Sequence, residues 1–244
     1  SSYFWRGKHV VFHHTYTNIA GHDGDIDIGS FGRLAPHQRR FAVHRFQHIY
    51  MWVLYGLMTI RWQLYGDFRN VVVGKVGIHR FPRPKRWDLV TFIAGKVWFL
   101  TLAFGLPLFF HSFGAVLLFY AVAAGVVGLT LSVVFQLAHC VEQAAFPLPS
   151  VESGRMETAW AVHQVESSVD FARGNPLVAW LLGGLNFQIE HHLFPRISHI
   201  HYPALSKVVE GTCRDFGVRY AEHRPFRAGL VSHYRFLRRL GAPS

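Results

Sequence analysis

Two cysteines in 244 residues, Cys140 and Cys213, give no CxxC pair and too few thiols for a disulfide framework or a thiolate zinc site. Charge is scarce as well. Asp, Glu, Lys and Arg make up 16% of the chain, against about 25% in an ordinary soluble domain. Half of the residues are hydrophobic, so there is little polar material to cover a water-facing surface. The scarcer sign is negative: 14 acidic residues stand against 25 Lys and Arg, a net charge of +11. The basic excess flanks long apolar runs instead of forming a stripe of its own, which argues against nucleic acid as a partner. The opening, SSYFWRGKHVVFHH, has neither a Met nor the apolar stretch of a secretory signal. Internal repeats and low-complexity tracts are missing too.

Apolar length is what the chain does have. Residues 91–110, TFIAGKVWFLTLAFGLPLFF, are apolar except for Lys96, and residues 114–138 hold no charge at all. Each run is long enough to cross a hydrocarbon core of about 30 Å as a helix. Only a few residues part them, so they are expected to form a transmembrane hairpin. Arg80, Arg83, Lys85 and Arg86 precede the first run and place that end on the cytoplasmic side. Residues 46–64 carry Arg61 among Tyr50, Trp52, Tyr55 and Trp62. That mixture suits an interfacial or re-entrant helix, with a full crossing as the alternative. Residues 65–90 and 140–160 read as turn-rich connectors, and the basic amphipathic end, HYRFLRRLGAPS, is expected near anionic headgroups. The expected fold is all-α: one domain over residues 1–244, an integral membrane hairpin under a cytoplasmic, histidine-rich helical cap.

The 17 histidines outnumber the acidic residues, and imidazole is the commonest metal ligand. In KHVVFHHTYTN, a helical rotation of about 100° per residue brings His9 and His13 within about 40° of each other, with His14 a further step round. In QIEHH, Gln188, His191 and His192 share a face and Glu190 points the other way. Pro195 then stops the helix. A third place is His139, where the uncharged run reaches the interface; an ionisable group there is a functional candidate. Imidazole alone suits Fe, Zn, Cu or Ni, but six such nitrogens exceed what one zinc takes and favour two metals. His163, in AWAVHQVESSVDF, is a further ligand or a support to one. His199 and His201 read as supporting or surface residues. His22, His37, His44, His48, His79, His111, His223 and His233 read as structural or interfacial. Asp23, Asp25 and Asp27 lack the spacing of an EF-hand and read as a solvated acidic turn.

KHVVFHHTYTN and LNFQIEHHLFPRISHIHYPAL resemble the second and third histidine boxes of the membrane-bound fatty acid desaturases. The likeness runs from about Tyr3 to Phe226, takes in FQLAHCVEQAAFP and HRFPRPKRWD, and is nearest to bacterial acyl-CoA desaturases of the linoleoyl-CoA or Δ6-like kind. In that group Gln replaces the first His of the last box, as Gln188 does here. Val10 stands where many relatives have Asn. The family's earlier HxxxH box has no counterpart, so an N-terminal truncation is expected. The resemblance implies two non-haem irons on His9, His13, His14, His139, His191 and His192. Gln188 would orient a ligand or bind through water. No catalytic side chain is implied beyond the metal centre. It further implies O2 and a reduced ferredoxin or cytochrome b5-type donor, with an acyl-CoA or acyl-lipid as substrate. The product would be a cis double bond, formed by a multi-pass protein of the cell membrane with its site on the cytoplasmic side. A related di-iron hydroxylase, or an inactive fragment, remains the alternative. A haem-binding electron carrier would need His pairs inside the bilayer, and the 114–138 run has none.

Overall fold

The computed structural model describes residues 1–243 and is mostly helical. The departures from an all-α fold are two short ladders. Lys75–Val76 pairs antiparallel with His79–Arg80, and Asp170–Phe171 pairs parallel with Glu222–His223. The first ladder follows from glycine. Gly74 leaves the helix Asp67–Val73 in the left-handed conformation (φ 66°), and Gly77 (φ 60°) turns the two-residue loop. The chain divides into two compact units, Ser1–Phe12 with Tyr50–Ser132, and His13–Ile49 with the residues from Val133 onward.

In the first unit, the helix Trp87–Leu100 runs on through a π turn, Thr101–Gly105, and a last 3-10 turn at Pro107–Phe109. The helix Phe113–His139 follows after a tight turn. Trp87–Phe109 and Phe113–His139 are the two helices long and apolar enough to cross a membrane. Their outward faces carry large apolar groups that the protein leaves uncovered: Trp98 is 67% exposed, Phe109 83% and Phe119 77%. A face of that kind suits lipid or another protein better than water.

Helix Gln47–Arg61 meets helix Phe113–His139 through glycine. A Cβ on Gly128 would stand 2.6 Å from the Gly56 carbonyl oxygen and 2.8 Å from that of Tyr55. Backbones approach this closely only where side chains are absent. Lys96, the one charge in the first apolar run, is paired: its Nζ lies 2.8 Å from Asp67 Oδ2 and donates to the Gln63 carbonyl at 2.8 Å. Residues 46–64 form the helix Gln47–Arg61 and then a π turn, Trp62–Gly66, which leads into Asp67–Val73. That continuous helical stretch holds Arg61, Asp67 and Arg69.

The second unit buries polar side chains along with its apolar core. Val134, Leu137, Ala138, Phe171 and Ala172 form one cluster; Val165, Ile189, Val209 and Cys213 form another. The closing helix Phe226–Gly241 leaves Arg235, Arg238 and Arg239 exposed on its basic side. Its apolar face, with Phe236, Leu237 and Leu240, is buried in protein. Gln47 donates to the Leu237 carbonyl at 2.8 Å, and His233 Nδ1 lies 2.7 Å from the Cys140 carbonyl oxygen.

Candidate metal centre

The first of the two histidine boxes present in this chain lies on Arg6–His13, a π-helix in place of the expected α-helix; α geometry resumes over His14–Tyr16. Hydrogen bonding from i to i+5 is rare and concentrates at functional sites. The segment then turns at Asn18, a left-handed residue (φ 59°). Asn enters this conformation more readily than most side chains do, and here its backbone N–H is held by Asp23 Oδ2 at 2.9 Å. Asn18 Nδ2 reaches the carbonyl oxygens of His139 (3.0 Å), Ala145 (3.1 Å) and Ser167 (3.0 Å). One side chain thus ties the first box to the end of the helix that carries His139.

The second box opens after Gly183 and Gly184, both at positive φ. A Cβ on Gly184 would fall 2.6 Å from His199 Cβ, so the turn into the helix Gln188–Leu193 requires glycine there. The helix stops before Pro195, and Asp170 accepts from the Ile189 backbone N–H at 2.9 Å. Glu190 faces away from the ligand side, as its angular position predicts, and accepts from Tyr220 Oη at 3.0 Å. Tyr220 also donates to Asp170. Burial pushes both carboxyls above the usual carboxylate range, and the neighbouring Glu190 charge raises Asp170 further.

The adjacent imidazoles part company. His192 joins His13 and His139, and the ligand nitrogens of these three lie within 4.8 Å of one another. His13 Nε2 and His139 Nε2 are 3.3 Å apart, and Gln188 Nε2 is 3.0 Å from His139 Nε2. His191 instead meets His14, with ring centroids 4.8 Å apart, while His14 stacks on His192 at 4.3 Å. Each box therefore supplies one imidazole to a three-histidine group and the next to a neighbouring pair.

The rear nitrogens are held as well. His13 Nδ1 lies 3.0 Å from Asp23 Oδ2, His139 Nδ1 3.3 Å from the Ser167 carbonyl oxygen, and His192 Nδ1 2.8 Å from Gln164 Oε1. Tyr202 Oη stands 3.4 Å from His191 Nδ1. Partners behind the ring fix which nitrogen faces a metal. His192 is fully buried, and its Nε2 has no hydrogen-bond partner. Burial, reinforced by the charges of His139, His14, His13 and His191, holds its pKa well below the ordinary value. It is a neutral imidazole with an unused nitrogen in the group, which is the state a metal ligand needs.

His9 belongs to the first unit, where it is buried and stacked on Trp5 at 4.7 Å. His163 is buried and depressed in pKa by that burial, but it joins none of the converging histidine groups. Its neighbour Gln164 makes the contact to His192. His199 and His201 are exposed. Asp23 corrects the solvated-turn reading: it is 1% exposed and also accepts from the Asn18 backbone N–H at 2.9 Å. Nothing in spacing alone marked Asp23, Gln164, Asn18 or Tyr202, since each acts through the fold rather than through a motif.

Comparison with known proteins agrees with this geometry. A family model described as fatty acid desaturase matches residues 1–224. The sn-1 linoleoyl-lipid 6-desaturase of Synechocystis sp. is 38% identical over all of this chain and 68% of its own length. The Arthrospira platensis protein of the same name is 36% identical over 98% of this chain and 65% of its own length. The acyl-lipid (8-3)-desaturase of Physcomitrium patens is 37% identical over 99% of this chain and 51% of its own. The chain thus spans from about half to about two thirds of the length of these relatives. No solved structure matches. With the family matched over most of its length, and with histidine clusters that fit a histidine-ligated metal centre, the chain belongs to the fatty acid desaturase family.

Proposed function

We propose that this protein introduces a cis double bond into a lipid-linked fatty acyl chain at a histidine-held pair of irons. The observation that carries the reading is the meeting of His13, His139 and His192, from three distant segments, around the unpartnered Nε2 of His192. His13, His139 and His192 hold one metal with Gln188 beside them; His14 and His191 contribute to the second. His9 enters the set on its four-residue spacing from His13. The donors fit: imidazoles, fully or largely buried, with a side-chain amide suit iron among other first-row metals. Bound iron, with O2, two electrons and two protons, would supply the oxidising power that removes two hydrogens from adjacent methylenes and leaves two waters. The chain's own part is to keep the imidazoles neutral, to fix their orientation through Asp23, Ser167, Gln164 and Tyr202, and to exclude water from the buried group.

An acyl-lipid is favoured over acyl-CoA, because the relatives above are named for lipid-linked chains. Linoleoyl-lipid is the first substrate to assay. The exposed apolar faces of Trp87–Phe109 and Phe113–His139 support a hairpin through the bilayer. Arg80, Arg83, Lys85 and Arg86 support a cytoplasmic site served by a reduced ferredoxin or cytochrome b5-type donor. The test is expression of the full chain in a host whose lipids contain linoleate, with analysis of fatty acids and of metal content. A new cis alkene and about two irons per chain are expected. A hydroxylated chain without a new alkene would establish the hydroxylase alternative, and absence of bound metal would overturn both.

A further inference from the structure

We infer that Gln164 is a positioning residue for the metal centre: its side-chain oxygen fixes the fully buried His192 as the Nδ1–H tautomer and so turns the Nε2 lone pair toward His13 and His139. The inference deepens the metal-centre reading and rests on it.

The geometry is specific. Gln164 Oε1 lies 2.8 Å from His192 Nδ1, and both residues are fully buried. The same oxygen accepts from Thr17 Oγ1 at 2.9 Å, a hydroxyl whose single hydrogen is shared with the His13 carbonyl oxygen 2.7 Å away. Thr17 Oγ1 is also 3.2 Å from His192 Nδ1. Three segments therefore converge on one acceptor: the end of the first histidine box, the helix Trp160–Glu166 and the helix Gln188–Leu193.

A neutral imidazole carries one N–H. With that hydrogen given to Gln164, His192 Nε2 has a lone pair and no protein partner. If the Gln164 side chain offered its amide N–H instead, the hydrogen of His192 would move to Nε2 and point into the histidine group, where it would block a metal. A buried imidazole has no water to reset its tautomer, so the choice belongs to Gln164. Carboxylates perform this office behind many metal-bound histidines, as Asp23 does here behind His13. At His192 a neutral amide stands in that place, which orders the ring without adding a buried charge.

The test uses the full chain purified in detergent and loaded with cobalt(II), whose visible bands report ligand geometry. Gln164→Leu keeps the bulk and removes the acceptor. Cobalt affinity is expected to fall by about 10- to 100-fold and the visible bands to shift, while helical content stays unchanged and the metal-free protein melts only slightly lower, as buried donors lose their acceptor. Gln164→Glu restores an acceptor oxygen at the same reach and is expected to recover affinity to the wild-type level or above. Undiminished affinity with unshifted bands in Gln164→Leu would overturn the inference. If Gln164→Leu does not accumulate, Gln164→Met, which also lacks the amide oxygen, decides: lowered affinity with shifted bands supports the role, and wild-type affinity with wild-type bands refutes it. A wild-type protein that takes up no metal would overturn the metal-centre reading and this inference together, whereas loss confined to Gln164→Leu leaves the first intact.

Discussion

In the unit built from residues 1–12 and 50–132, large apolar side chains such as Trp98, Phe109 and Phe119 face outward. In the unit built from residues 13–49 and 133 onward, polar groups are turned inward: His13, Asp23, Gln164, Asp170 and Glu190 are all buried. With the hairpin in a bilayer, as proposed above, the two burial patterns answer different solvents. Uncovered Phe and Leu cost nothing against hydrocarbon, where packing must come from close backbone approach, as at Gly56 and Gly128. Buried imidazoles and carboxyls are costly anywhere unless each is partnered. Most of those in the second unit are, through Asn18, Asp23, Gln164, Ser167 and Tyr220. Among the buried atoms without a hydrogen-bond partner, His192 Nε2 is the one inside the three-histidine group, and there the fold accepts a cost that a ligand would remove.

The largest break in this comparison is expected at that atom. His192→Ala removes the central nitrogen of the three-histidine group, and both metal binding there and alkene formation are expected to be abolished. His201→Ala, at an exposed histidine a few residues on, is expected to keep both. Iron content and fatty-acid analysis of the two variants side by side check this. Equal iron in both would mean that convergence of imidazoles in the second unit does not create the metal site.

Within the first unit the sharpest contrast is between two glycines. A Cβ on Gly128 collides with the backbone at Gly56 and Tyr55, whereas a Cβ on Gly95 meets nothing within 4 Å. Gly128→Leu is expected to destabilise the protein by about 3 kcal/mol or more, because backbone cannot move aside as a side chain can. Gly95→Leu is expected to be neutral or slightly stabilising, since glycine weakens a helix by up to about 1 kcal/mol relative to better helix formers. Melting in detergent, followed by tryptophan fluorescence, separates the two. Equal melting temperatures would remove close helix contact as the organising feature of this unit.

The legible part of the molecule was the part written in local period. Uninterrupted apolar length marked the helices Trp87–Phe109 and Phe113–His139, and the angular argument for QIEHH separated Gln188, His191 and His192 from Glu190 as the coordinates do. The π geometry of Arg6–His13 was not legible, because i to i+5 bonding has no residue signature. Asp23 was misread for a related reason. An Asp between His22 and Gly24 looks the same whether water or His13 receives it, and the choice depends on the turn at Asn18, whose backbone N–H holds the carboxylate. Gln164 escaped notice beside His163, the more obvious metal ligand. Nor did the basic end of the chain disclose that Phe236, Leu237 and Leu240 are packed inward.

The smallest expected effect tests whether inward polar groups make the second unit sensitive to acid. His233 is fully buried, with Nδ1–H donating to the Cys140 carbonyl at 2.7 Å. Burial lowers its pKa from an ordinary 6.5 to about 4, against the opposing pull of that carbonyl. The unfolded chain therefore takes up the proton first as pH falls. The stability that His233 contributes is complete above its ordinary pKa and is lost progressively as pH drops toward the folded value. Between about pH 7.5 and about pH 5.5 this amounts to about 1 kcal/mol, with about 3 kcal/mol as the full range. Melting curves across that interval should show the wild type losing stability more steeply than His233→Gln, which keeps a donor to Cys140 but does not titrate. Parallel slopes would assign the acid response to other groups, leaving the inward polarity of this unit without the pH cost that burying a neutral imidazole entails.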